Sequence, residues 1–132
     1  GKGVHVVVPL ERRADFDQVK TFAKALAGKL ADAAPKRYTD TMSKAKRKGR
    51  IFIDWLRNER GSTAIAPYSV RAREGGPVAV PVSWDELETL KSANGFHIDD
   101  VLERLEKGVD PWADADDRSQ SVTKKMIDAV ME

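Results

Sequence analysis

Apolar positions along the chain follow two different periods. The run Val4-His5-Val6-Val7-Val8-Pro9-Leu10 is mostly β-branched and predicts a strand, with Pro9 ending the ladder because it has no N–H to donate. Asp15 predicts a helix cap, and Phe16, Val19, Phe22, Ala23, Leu26 and Leu30 then recur at helical spacing, so a helix is expected from Phe16 to Ala33. Lys20, Lys24 and Lys29 fall off that stripe, and Pro35 bars simple continuation. Thr39–Ser43 opens a short polar helix that Gly49 is expected to end. Arg50-Ile51-Phe52-Ile53-Asp54-Trp55-Leu56 predicts the strongest strand, an apolar run interrupted by one carboxylate. Gly61 and Gly75-Gly76 mark turns, with short strands expected over Thr63–Val70 and Val78–Val82. Ser83 and Glu86 have capping-box spacing, which predicts a helix from Trp84 to Leu90. A second helix is expected over Ile98–Leu105, and a last one within Ser119–Val130 with Val122, Met126, Ile127 and Val130 on its apolar side. Trp55, Trp84 and Trp112 are expected in the core. This order of elements predicts mixed α and β structure in a single domain, residues 1–132.

Composition narrows the class. Hydrophobic residues make up 41% and charged residues 33%, a balance of ordinary globular proteins and not of disordered tails. No apolar run approaches the roughly 20 residues of a membrane helix, so no membrane partner is expected and a cytoplasmic location is the default. The absence of cysteine excludes disulfides and thiolate metal sites. The net charge of +2 conceals an asymmetry. Lys44, Lys46, Arg47, Lys48 and Arg50 form a basic cluster, followed by Arg57, Arg60, Arg71 and Arg73, whereas Asp99, Asp100, Glu103, Glu106, Asp110, Asp114, Asp116 and Asp117 make the C-terminal third acidic. Such runs form either solvated surface or a face for anionic partners.

A few residues have the chemistry of a site. Asp54 stands in an apolar strand, where a carboxylate must pair with an arginine, lie at the sheet edge or coordinate a hard cation such as Mg²⁺ or Mn²⁺. His5 follows Gly3 and Lys2, a glycine-bearing segment that suits either a strand edge or a phosphate. Arg57, Arg71 and Arg73 have the fork that binds phosphate bidentately, or they serve solubility; Arg71 and Arg73 are expected on one face of an extended stretch. Thr63 adds a hydroxyl. Asp15 and Asp17 have metal-pair spacing, but they open a helix, where carboxylates cap free N–H groups. There is no Ser-His-Asp, Cys-His or zinc-type spacing, and His97 is expected to be structural.

Several segments together resemble a known family. Gly1-Lys2-Gly3-Val4-His5-Val6-Val7-Val8-Pro9-Leu10 resembles the second motif of the polymerase domain of bacterial DNA ligase D, and Arg50 through Asn58 resembles its third. Thr63 through Arg73, Pro81 through Leu87 and Asp110-Pro111-Trp112 fit as well, in order along nearly the whole chain. That family lies in the archaeo-eukaryotic primase superfamily. The resemblance implies an α+β fold with a small, mostly antiparallel sheet flanked by helices. It implies addition of nucleotides, often ribonucleotides, to DNA ends in non-homologous end joining. Two Mg²⁺ or Mn²⁺ ions held by three aspartates are implied, Asp54 corresponding to the third and serving as the catalytic metal ligand. Lys2, His5, Arg57, Thr63 and Arg71 are implied in binding the nucleoside triphosphate. A ligase domain and the end-binding Ku protein are implied partners, in a bacterial cytoplasm near the nucleoid.

The sequence also departs from the pattern. The family's Asp-x-Asp pair precedes the glycine-rich motif, and the resemblance here covers the C-terminal half of the domain. The serine expected before the glycines is missing, and Asp15-Phe16-Asp17 has the right spacing in the wrong place. Little or no polymerase activity is therefore expected from this chain alone. The alternatives are a non-catalytic nucleotide- or DNA-binding module, or a chain that folds with its missing half or as a homodimer.

Overall fold

Asp15 caps the longest helix as its sequence predicts: its carboxylate accepts from the Gln18 N–H at 2.8 Å while the Gln18 side chain accepts from the Asp15 N–H at 2.9 Å. This reciprocal cap starts α1 (Phe16–Ala33) in a computed structural model that describes residues 3–132. The order continues with β1 (Tyr38–Thr39), α2 (Lys44–Arg47), β2 (Ile51–Phe52), α3 (Trp84–Thr89), α4 (Ile98–Glu106), a 3₁₀ turn (Ala115–Arg118) and α5 (Lys124–Met131). The chain divides into two units. One combines the N-terminal segment through Pro9 with Ile65–Ser119, and the other combines Leu10–Ala64 with Gln120–Glu132.

In the second of these units, α1 packs on β1 and α5. Its buried positions are Ala27 and Ala31, while Phe16, Leu26 and Leu30 stay exposed. The expected stripe is thus rotated, because the closest packing runs along the small side chains. β1 and β2 pair in parallel, Tyr38 with Ile51 and Thr39 with Phe52. A small, mostly antiparallel sheet is thereby corrected to a two-stranded parallel one. The reason is the connection: the strands are joined through α2, and a helical crossover returns the chain in the same direction, as a tight hairpin cannot. Gly49, at φ 73°, makes the turn after α2. A parallel bridge between Leu10 and Gln120, with the Glu11 N–H donating to the Gln120 carbonyl at 2.8 Å, ties the start of this unit to its end.

In the other unit, Ser83 and Glu86 form the expected box at the start of α3. The only antiparallel pairing among the described residues is the bridge between Val70 and Val78. Val78 and Val101 are its buried aliphatic side chains. Trp84, expected in the core, is 71% exposed because the first turn of α3 presents it to solvent. Residues Val4–Val8 lie in no ladder, since no strand pairs with them among the described residues.

Candidate functional site

The parallel ladder positions Asp54. The Ile51 N–H donates to the Arg37 carbonyl at 2.7 Å and the Ile53 N–H to the Thr39 carbonyl at 2.8 Å, so Asp54 is the first residue released from β2. Trp55 is then anchored through its indole N–H to the Asp40 carbonyl at 3.2 Å, under the Lys24 ammonium 5.1 Å from its ring. Between these fixed points the Asp54 side chain is exposed. Its Oδ1 accepts from the Leu56 N–H at 3.0 Å, the two-residue bond by which aspartate shapes a turn. Among the described residues Oδ2 has no hydrogen bond and the carboxylate no ion pair.

The turn after Asp54 brings two other predicted residues together. The Arg57 guanidinium donates to the Thr63 carbonyl at 3.0 Å, so Thr63 meets Arg57 through its backbone and its hydroxyl stays unengaged among the described residues. The loop is fastened to α1 by the Lys20–Glu59 ion pair and by Arg60, whose guanidinium lies 5.5 Å from the Phe16 ring. A cavity of about 350 Å³ beside this turn is lined by Lys24, Asp40, Thr41, Met42, Trp55 and Leu56.

His5 and Arg71 belong to the other unit. His5 is exposed in the extended N-terminal segment. Lys2 lies outside the described residues. Arg71 sits on a hairpin closed by three backbone bonds: Tyr68 N–H to the Ala79 carbonyl at 2.6 Å, Ala79 N–H to the Ser69 carbonyl at 3.0 Å, and Arg71 N–H to the Pro77 carbonyl at 2.8 Å. The hairpin ends there, and Arg73 lies in the following turn, so Arg71 and Arg73 do not alternate along a strand.

Sequence reasoning missed what supports this hairpin. Tyr68 has φ 64°, a left-handed conformation that a bulky residue adopts only when its surroundings impose it. Its hydroxyl donates to Asp110 Oδ1 at 2.9 Å. Burial, then the bond to Asp110 and that residue's charge, raise the Tyr68 pKa above its usual value. Close by in the fold, Arg104 binds both Glu86 oxygens and the Pro81 carbonyl, the last at 3.1 Å, and stacks 5.0 Å from the Phe96 ring. The Arg104 hydrogen bond holds the Glu86 carboxyl down at about 2, against the opposing effect of burial. No local signal joins Glu86 to Arg104, eighteen residues apart. The capping-box spacing identifies only the Glu86 half of the pair.

An exposed carboxylate with a free oxygen is a donor that hard divalent ions accept. Among the described residues, however, no three His, Asp or Glu side chains converge as a metal site. A two-ion centre needs bridging and terminal ligands from several groups, and the described residues do not fit one.

Comparison with known proteins agrees with the motifs. The family model described as "LigD, primase-polymerase domain" matches residues 1–112. The Multifunctional non-homologous end joining protein LigD of Pseudomonas aeruginosa is 46% identical over 128 residues, 96% of this chain and 15% of that protein. The Bifunctional non-homologous end joining protein LigD of Bacillus subtilis is 31% identical over 114 residues, 86% of this chain and 19% of that protein. Among solved structures, the polymerase domain of Mycobacterium tuberculosis Ligase D in complex with DNA superposes with a TM-score of 0.75 at 34% identity, covering 85% of this chain and 39% of that one. This chain therefore spans less than a fifth of these two full-length relatives, and with its α+β fold it belongs to the LigD primase-polymerase domain family.

Proposed function

We propose that the chain is part of a nucleotidyltransferase that adds nucleotides to DNA ends in non-homologous end joining, and that alone it lacks a complete metal centre. The observation that carries this reading is Asp54: its carboxylate keeps one oxygen free in the turn after β2, within a chain 46% identical to the Pseudomonas LigD over 96% of its own length. In this reading Asp54 contributes one ligand to Mg²⁺ or Mn²⁺. Lys2, His5, Arg57, Thr63 and Arg71 hold the triphosphate of the incoming nucleotide, where cationic side chains offset phosphate charge. DNA ends and nucleoside triphosphates are the ligands, and a ligase domain and Ku the partners, in the bacterial cytoplasm. The 132 residues act as one piece of the polymerase domain.

Manganese-dependent extension of a gapped DNA primer, by this chain and by its Asp54→Ala variant, tests the reading. Extension by neither chain, with triphosphate binding retained, supports it. Extension that disappears in the variant would show a working metal site and overturn the incompleteness.

A second reading, a non-catalytic DNA- or nucleotide-binding module, is favoured by the lack of converging metal ligands among the described residues. Salt-dependent DNA binding unchanged by Asp54→Ala, without any extension when the rest of the polymerase domain is supplied, would select it.

A further inference from the structure

The segments Pro67-Tyr68-Ser69 and Asp110-Pro111-Trp112 carry none of the groups assigned to metal or triphosphate, yet they meet in the fold. The Tyr68 hydroxyl donates to Asp110 Oδ1 at 2.9 Å, and the Trp112 N–H donates to the same oxygen at 3.1 Å. The second bond is the two-residue turn that aspartate makes with its own chain. The Ala113 N–H also donates to the Asp110 carbonyl, at 3.2 Å. Asp110 therefore presents a fixed acceptor to Tyr68.

Tyr68 is where the hairpin needs holding. Among the described residues it alone has positive φ without being glycine, and a bulky side chain stays there only when its contacts outweigh the strain. The kink leads into the stretch that reaches Arg71 three residues later. Pairing along that stretch is thin: one bridge, Val70 with Val78, flanked by the Ala79 and Arg71 N–H bonds to the Ser69 and Pro77 carbonyls. A two-stranded hairpin is marginal in water and relies on support from outside. The Val78 side has such support, because its N–H donates to the Phe96 carbonyl at 2.9 Å and Arg104 binds the Pro81 carbonyl. From Tyr68 to Arg71, the Tyr68–Asp110 bond is the only side-chain hydrogen bond among the described residues.

Arg71 gives this geometry a use. Its side chain is half-buried, and its guanidinium makes no hydrogen bond or ion pair among the described residues. A guanidinium that is free of partners and restrained by its backbone suits an anion, since little freedom is lost on binding. We propose that Tyr68 and Asp110 are positioning residues for triphosphate binding: their hydrogen bond fixes the hairpin that carries Arg71, and so sets where its guanidinium meets phosphate. This rests on the reading that Arg71 binds the triphosphate of the incoming nucleotide.

Calorimetry of ATP binding to the 132-residue chain compares wild type with Arg71→Ala, Tyr68→Phe, Asp110→Asn and the Arg71→Ala/Tyr68→Phe double variant, each with an unchanged circular dichroism spectrum. Arg71→Ala is expected to weaken binding about tenfold and Tyr68→Phe about fivefold, on the scale of a lost charge-assisted bond. Asp110→Asn stays near wild type, because its amide oxygen faces the same two donors, the Tyr68 hydroxyl and the Trp112 N–H. In the Arg71→Ala background Tyr68→Phe costs nothing more, since the group it positions is gone; a general loosening of the fold would cost the same about fivefold in both backgrounds. A full repeat of the loss in that background, or a Tyr68→Phe chain that binds like wild type, overturns the proposal and leaves Arg71 its role. Arg71→Ala that binds like wild type overturns the reading beneath the proposal and the proposal with it. Hydrogen exchange tests the hairpin without ligand: the Arg71 and Ala79 amides are expected to exchange about threefold faster or more in Tyr68→Phe. Unchanged exchange overturns the proposal whatever the affinities.

Discussion

Replacing Glu86 by glutamine tests whether the Glu86–Arg104 pair holds α3 to α4 electrostatically. The substitution is narrow. Glu86 Oε1 accepts from the Ser83 N–H at 3.0 Å, and the glutamine oxygen accepts the same bond, so the helix cap survives. What disappears is the charge facing Arg104. The Arg104 hydrogen bond first, with the Ser83 bonds and the Arg104 charge adding to it against burial, depresses the Glu86 carboxyl from 4.5 to about 2, which at full weight corresponds to about 3 kcal/mol. The Glu86 side chain is 31% exposed and that of Arg104 16%, and solvent screening reduces the figure to about 1–2 kcal/mol. The sign follows from linkage. A carboxyl whose pKa is lowered by folding stabilises the fold above its unfolded value of 4.5, and the contribution is lost as pH falls toward about 2. Urea denaturation of wild type and Glu86→Gln, followed by circular dichroism, is expected to show the variant less stable by about 1–2 kcal/mol near neutral pH. Near pH 2 much of the difference should vanish, because that pH lies well below the unfolded value and wild-type Glu86 is then about half protonated in the fold. Equal stability near neutral pH, or an equal deficit at both, would refute the reasoning.

Three further outcomes are expected. Asp110→Asn lowers the Tyr68 pKa toward 10 without abolishing the shift, since burial is the larger cause; ultraviolet titration of the phenol reads it, and an unmoved transition would deny the Asp110 contact any part. Gly49→Ala costs about 1 kcal/mol in chemical denaturation through backbone strain alone, because the glycine has φ 73° and a Cβ there meets no atom within 4 Å. Arg57→Ala weakens triphosphate binding about tenfold by calorimetry, as loss of a charge-assisted bond does, and unchanged affinity would remove Arg57 from the ligand set.

Signals that act within a few residues could be read from the sequence. The Asp15 cap set the start of α1, and Ser83 with Glu86 set the start of α3. Asp54 stood out because a carboxylate in an apolar run demands an explanation, and it emerges where β2 releases the chain. Signals that need a distant partner could not be read. Amphipathicity showed that α1 has an apolar side but not which residues pack, and Ala27 and Ala31 were the answer where Leu26 and Leu30 were expected. The sheet direction depended on the route through α2, and the Arg104 and Asp110 supports arise from chain returns of 18 and 42 residues.

The shortfalls in burial share one direction. Val4, Val6, Val7, Val8, Phe16, Leu26, Leu30 and Trp84 all carry apolar side chains that periodicity or composition assigns to a strand, a helix stripe or a core, and each is exposed. Random error in sequence reading would scatter both ways, placing polar residues inside as often as apolar ones outside. Here the buried polar side chain is Thr39, and no buried side-chain nitrogen or oxygen lacks a partner among the described residues. A sequence whose apolar pattern exceeds its own buried surface is patterned for more neighbours than it contains. In the superposed Mycobacterium tuberculosis polymerase domain the matched region is 39% of the chain, so there this fold occurs beside further residues.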